Sequence, residues 1–528
     1  MAASWLKDAV FYEIYPQTFY DTNGDGIGDI RGIIEKLDYV KSIGCNALWI
    51  NPWYDSPFAD AGYDVRDYYK VAQRYGTMED AVELFRVAHE KGIRVLIDLV
   101  PGHTSEQHNW FLESALEQPN PEYADRYIWT ENAFCRGGNM PFISGEKPRD
   151  GAYIINFFKS QPALNYGYHV IDEPNWQQSI DAPGPMANRK AMKDVIRFWL
   201  DKGADGFRVD MADSLVKNDG EEKISTQLVW KDILGDIHAE YPEAAFVSEW
   251  NKPRQALRSG FDMDFMLDWY GNGYSCLARL YRIDKDGNPY DDQSFFKAEA
   301  NSDIHGFLRD YLPQYEDTKG DGLWCLITGN HVCKRTSYNL TETERKLLFT
   351  FLLTMPGAPF VYYGDEIGMR YLAGVTSVEG GYTRTGSRSP MQWDDGVNAG
   401  FSSAPRDSLY IPQDPSPDRP TVAAQMADPD SLLHHVRHLT RLRQAHPALH
   451  NLSDIRFVCS GAPGTPLVYE RFCDEEALLV VVNPYREAVT FQYDRLLGET
   501  VFGIGGAAVQ KAGSVTVSAK SAVVIEIR

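Results

Sequence analysis

Cysteine is sparse and unpaired in pattern: seven residues in 528, with no Cys-x-x-Cys spacing. Cys45, Cys135, Cys276, Cys325, Cys333, Cys459 and Cys473 are scattered and odd in number. No disulfide framework is implied, and free buried thiols in a reducing compartment are the expectation. Positive charge is also short. Lys and Arg number 52 against 74 Asp and Glu, a net charge of −22. Such a surface repels phosphate backbones, so nucleic acid is a poor partner. A neutral substrate would not feel the charge. No apolar run reaches the length of a membrane span, and the opening MAASWLKDAVFYEIYP lacks a basic stretch followed by an apolar signal core. A cytoplasmic protein without a membrane partner is expected. There is no internal repeat, no low-complexity tract and no early glycine-rich phosphate turn of the kind a doubly wound open sheet usually shows.

What is present suits a large globular enzyme. Hydrophobic residues make up 43% and charged residues 24% of the chain, enough to bury a sizeable core. Through the first 450 or so positions, eight short apolar runs read as buried strands: 9–16, 47–52, 95–101, 206–212, 245–250, 264–269, 323–331 and 359–366. Amphipathic segments separate them. Ile33, Leu37, Val40 and Ile43 fall on one helical face, and TMEDAVELFRVAHEKG opens on a cap-like Thr77 and closes on Gly92. Eight β-then-α units favour a closed (β/α)₈ barrel.

Two regions break this rhythm. Residues 105–178 are rich in aromatics, Asn, Gly and Pro and read as an excursion inserted between strands 3 and 4. The tail, 451–528, holds LVYERF, ALLVVVN, VTFQYD and SAVVIEIR, short strands of an antiparallel sandwich. The expected organisation is a barrel built from 1–104 and 179–450, an inserted domain at 105–178 and a C-terminal β-sandwich domain. The segment 430–449 supplies the last barrel helix.

Chemistry in such a barrel sits at the C-terminal ends of the strands. Strand 3 ends in Asp98 and then His103. Strand 4 carries Arg208 and Asp210, two apart and so on one face. Strand 5 ends in Glu249, and strand 7 in His331 and Val332. Asp210 and Glu249 come from neighbouring strands and can face each other across a cleft. Two carboxylates about 5 Å apart are the apparatus of a retaining glycosidase. Arg208 is expected to keep Asp210 ionised as a nucleophile, and partial burial beside Trp250 to raise Glu249 as an acid. Any one such residue is more often a cap or an ion-pair partner; the coincidence at successive strand ends carries the reading. In a second constellation, DTNGDGIGD, Asp21, Asn23, Asp25, the Ile27 carbonyl and Asp29 alternate like the first positions of a calcium loop. An Asx-rich turn is the plainer alternative.

The segments DGFRVDMA, FVSEW, GYDVRDY, QPALN and RSPMQWD resemble the signatures of glycoside hydrolase family 13, the α-amylase family, over about residues 5–450. The flavour is that of the oligo-1,6-glucosidases, α-glucosidases and trehalose synthases, which share GDGIGD and PMQW segments. The resemblance implies Asp210 as nucleophile and Glu249 as general acid/base. It implies Tyr63, Asp64, His103, Arg208, His331 and Arg388 as contacts to the terminal glucose. It also implies a structural calcium in the 21–29 loop, no organic cofactor, and a small saccharide as partner. The parent activity is retaining cleavage of terminal α-glucosyl units, with glucosyl transfer or isomerisation, as in trehalose synthases, as the alternative.

Three positions depart from that pattern. Gly102 stands where a calcium-binding Asn is common, so the central calcium site of true α-amylases is expected to be absent. Met211 follows the nucleophile where Val, Thr or Ala is usual, which leaves linkage preference open. Val332 stands where an aspartate should follow Asn330-His331 and help stabilise the transition state. Either this valine is a deliberate substitution that slows or inactivates a catalytic enzyme, or it is natural in a member whose reaction or ligand differs from plain hydrolysis. A sugar-binding pseudoenzyme is the reading of another class.

Overall fold

The structure is a computed structural model that describes residues 3–269, 272–285, 287–511 and 513–528. All eight expected runs form strands: β1 (Phe11–Ile14), β2 (Ala47–Ile50), β3 (Arg94–Leu99), β4 (Gly206–Val209), β5 (Ala245–Ser248), β6 (Met263–Phe265), β7 (Leu323–Cys325) and β8 (Phe360–Tyr362). They pair in parallel in the order β7-β6-β5-β4-β3-β2-β1-β8. The chain just past β7 joins the two ends. Phe360 N–H donates to the Leu326 carbonyl at 3.0 Å, and Ile327 bridges to Phe360. The expected (β/α)₈ barrel is the fold observed. The strands are nevertheless shorter than the apolar runs that announced them, because the ends of those runs turn outward as loops.

Each strand is followed by a helix: α1 (Ile30–Ile43), α2 (Met78–Glu90), α3 (Pro183–Lys202), α4 (Ile224–Glu240), α5 (Pro253–Leu257), α6 (His305–Thr318), α7 (Glu342–Thr354) and α8 (Leu432–Ala445). Local chemistry sets their limits. Asp29 caps α1, its carboxylate accepting the Gly32 N–H at 2.7 Å, and Gly44 ends it at φ 95°, a conformation that favours glycine. Thr77 and Asp80 form a reciprocal capping box on α2. Inside the barrel the Phe11 and Phe360 rings stack at 4.2 Å, and Phe265 meets Phe360 edge-on at 4.7 Å, so the barrel is packed rather than hollow.

Between Leu99 and Pro183 the chain makes an excursion held by an antiparallel hairpin (Phe142–Ser144 with Ala152–Ile154) and an aromatic cluster of Phe111, Tyr127, Trp129 and Tyr153. Its return limb delivers Asn156, Phe157 and Gln161 to the barrel mouth. The tail forms two antiparallel sheets: five strands within Asp454–Ile527 and three within Val489–Val517. Among the described residues no helix is long and apolar enough to cross a membrane. All seven cysteines are free.

Candidate active site

The strand ends converge on a pocket of about 200 Å³. Its floor is polar and buried: Asp60, Tyr63, His103, Arg208, Asp210 and His331. Glu249 lies at the same pocket, while Phe157, Met211, Val332 and Arg384 complete its wall toward solvent.

Arg208 is the electrostatic hub. One guanidinium nitrogen donates to Asp98 Oδ1 at 2.9 Å and to Asp210 Oδ1 at 3.0 Å; another pairs with Glu249 Oε2 at 2.7 Å. Three carboxylates thus share one cation. Arg208, expected to keep Asp210 ionised, is thus shared, and its effect on Asp210 is opposed. Burial and the neighbouring Glu249 charge raise the Asp210 carboxyl well above the ordinary range, with Arg208 opposing. Asp98 is pushed up to about 6 by burial, again against Arg208. Trp250, next to Glu249 in the chain, donates its indole N–H to Gln255 at 3.0 Å.

Met211 is held at φ 41° and ψ 46°, a strained conformation for a residue with a bulky side chain. This turn aims the Met211 N–H at Glu249 Oε2, 3.0 Å away, and so fixes Glu249 relative to the strand that bears Asp210.

His331 is stacked on Tyr63, ring centroids 5.4 Å apart, with its Nε2 3.0 Å from the Tyr63 hydroxyl and its Nδ1 2.9 Å from Glu13 Oε1. Burial, together with Arg388 and Arg208, lowers His331 well below the ordinary histidine range; burial raises Glu13 well above the ordinary carboxyl range. Both shifts favour a neutral pair. His103 is likewise lowered to about 4 by burial, with its Nε2 3.1 Å from the Tyr63 carbonyl and its Nδ1 3.0 Å from the Asn156 amide.

Two expected sugar contacts lie elsewhere. Asp64 is fully buried beneath the pocket, its carboxylate accepting from the Ser56 hydroxyl and the N–H groups of Ala59 and Asp60. Asp60 lines the pocket instead, 2.8 Å from the Gln161 amide and 3.6 Å from Arg384. Arg388 is buried as a brace, donating to the His331 carbonyl at 2.8 Å and the Tyr15 hydroxyl at 3.2 Å, and Arg384 takes the place at the wall. Asp60 and Arg384 each sit four positions before Asp64 and Arg388, in DAGYD and RTGSR. Only the loop path decides which carboxylate and which guanidinium face inward.

The Val332 loop is over-determined. Asn330 Oδ1 accepts the N–H groups of Val332 and Cys333, each at 2.9 Å. Ser387 donates to the Cys333 carbonyl at 2.7 Å, and Arg279 clasps the Thr328 and Lys334 carbonyls at 3.0 and 2.6 Å. At Gly102, a β-carbon would lie 3.0 Å from the Asn156 amide nitrogen, and the buried Lys217 ammonium donates to Asn156 Oδ1 at 3.2 Å. A cation already stands beside the position where the resembled calcium ligand would be.

Residues 21–29 close on themselves. Asp21 accepts from Asn23, Gly24 and Gly26 N–H, Asn23 from Asp25 N–H, and Asp25 from Ile27 N–H. Asp29 caps α1 and also holds Thr22. The all-oxygen donor set has the chemistry of a hard cation such as calcium. Yet the main chain already takes up these side chains, and among the described residues no three His, Cys, Asp or Glu gather as a metal-holding group. Calcium here rests on donor chemistry alone.

The alpha-amylase catalytic-domain family model matches residues 13–451, and the chain belongs to this family, glycoside hydrolase family 13. It is 34% identical over 482 residues to the trehalose synthase/amylase TreS of Mycolicibacterium smegmatis, covering 84% of this chain and 77% of that protein. It is 31% identical over 542 residues to the oligo-1,6-glucosidase of Heyndrickxia coagulans, covering 92% and 93%. The trehalulose synthase MutB of Pseudomonas mesoacidophila MX-45 superposes with a TM-score of 0.81 at 26% identity, covering 100% of both chains. An inactive double mutant of MutB, solved with isomaltulose, matches at 27% identity and the same TM-score of 0.81. The chain is thus an enzyme of the α-amylase family related to both glucosidases and sugar-isomerising synthases.

Proposed function

We propose that the protein is a retaining α-glucosidase-type enzyme acting on terminal α-glucosyl units of short saccharides, slowed by Val332. The observation that carries this reading is a polar pocket with Asp210 and Glu249 on one arginine, whose volume of about 200 Å³ suits a single sugar unit. In the first step Glu249 gives its proton to the glycosidic oxygen, the C1–O bond breaks, and Asp210 forms a glucosyl ester. In the second, water loses a proton to Glu249 and attacks C1, releasing α-glucose and free Asp210. Glu249, held by the Met211 N–H and by Arg208, stands beside Asp210 on the same guanidinium, which supports pairing the two in these roles.

A second reading, transfer or isomerisation of the same glucosyl ester, is favoured by the similarity to TreS and MutB. A sugar-binding pseudoenzyme is favoured by Val332 alone. Proton NMR of the first-formed product decides among the three. α-Glucose supports the proposal and a rearranged disaccharide the second reading. β-Glucose overturns the mechanism, and no turnover of even an aryl α-glucoside supports the third. A cytoplasmic location belongs to the proposal, on the strength of seven unpaired thiols.

A further inference from the structure

The floor and the mouth of the pocket differ in chemistry. Every floor group named above is polar and buried. At the mouth, Phe157 is 53% exposed, Val332 is 40% exposed and Met211 is half-buried, and all three line the same pocket as Asp210 and Glu249. The rings extend outward. Phe157 meets Phe158 edge-on at 4.6 Å, and Phe158 lies 6.1 Å from Tyr382, itself 64% exposed. Two segments far apart in sequence, the excursion and the β8–α8 connection, therefore bring apolar groups to one rim. Exposed apolar groups gathered at the mouth of a polar site mark a surface that something covers.

An aromatic ring alone would suit the C–H face of a second sugar. Val332 and Met211 would not. A sugar hydroxyl pressed against their methyl and thioether groups is removed from water and gains no full hydrogen-bond partner. We propose that the site takes α-glucosides whose aglycone is apolar, an alkyl or aryl group, with glucose on the polar floor and the aglycone against Phe157, Met211 and Val332. The proposal rests on the reading of the floor as a glucosyl site and names the substrate class for it.

Methyl and hexyl α-D-glucoside share the sugar and differ only in the length of the aglycone, so calorimetric titration of both into the full chain separates the two ideas. Each methylene taken out of water is worth roughly fourfold in affinity, and covering about two of them makes the hexyl glucoside at least tenfold tighter. That ratio should fall to roughly twofold in Val332→Ser and in Phe157→Ser, both exposed positions outside the core. If methyl glucoside binds and the hexyl chain adds nothing, the proposal is overturned and the glucosyl reading stands. A tenfold ratio that survives both substitutions puts the chain elsewhere and overturns the assignment. If methyl glucoside fails to bind, the floor is not a glucosyl site and both readings fall.

Discussion

Restoring a carboxylate by Val332→Asp should raise kcat by at least about 10²-fold on an unactivated α-glucoside. The side chain at 332 is 40% exposed, and Asn330, Arg279, Ser387 and Arg388 hold its loop through main-chain contacts that do not involve it. The substitution should therefore leave stability within about 0.5 kcal/mol, and activity changes can be read as chemistry. At about 5 Å and an effective dielectric of about 20, a carboxylate attracts a developing positive charge by roughly 3 kcal/mol, close to 10²-fold in rate. The same charge adds to Asp98, Asp210 and Glu249, which share the single Arg208. More negative charge raises carboxyl pKa values, so the acid limb of the rate profile should move to higher pH. Initial rates across pH on an alkyl or disaccharide α-glucoside, with KM measured separately, make the comparison. KM should change far less than kcat, because the polar floor is untouched. Unchanged or reduced turnover would refute the reasoning and make the valine part of a working site.

Glu249→Gln should lower kcat by about 10²–10⁴-fold on unactivated glucosides and much less on p-nitrophenyl α-glucoside, whose leaving group needs little protonation; equal losses on both would argue against Glu249 as the acid. Asp264 is buried, with one carboxylate oxygen unpartnered, and burial raises it to about 7. A carboxyl raised in the folded state binds its proton more tightly there than in the unfolded chain, so its contribution to stability falls as pH rises from about 4 to about 7. Asp264→Asn removes that loss. In urea titrations it should match the parent near pH 4 and gain with rising pH, approaching roughly 4 kcal/mol above pH 7; a pH-independent difference would contradict this. If the 21–29 loop binds calcium, millimolar calcium should raise the melting temperature of the full chain and Asp21→Asn should abolish the increase, whereas a chelator-insensitive melt would leave the loop as a plain Asx-rich turn.

Much of the molecule was legible in its residues. Eight apolar runs alternating with amphipathic helices specify a parallel barrel, because strands buried on both faces carry no polar alternation and the crossover helices need one apolar stripe. The same runs place Arg208, Asp210, Glu249 and His331 at strand ends, because a strand side chain's direction follows from position parity alone. Loops carry no such rule. Asp60 and Asp64 are equally plausible in DAGYD, and only the hydrogen bonds from Ser56, Ala59 and Asp60 turn Asp64 away from the pocket. Arg384 and Arg388 are separated in the same way, by the path of a long connection that packs Arg388 against the His331 carbonyl. The protonation of the site was also beyond the sequence. An arginine two residues from an aspartate suggests an ionised acid, but Arg208 is divided among three carboxylates, and burial outweighs its charge. Residue type and spacing determined the fold and the cast of the site. Which side chains face the sugar, and in what charge state, was decided by long-range packing, because burial and shared partners exist only once distant loops have met.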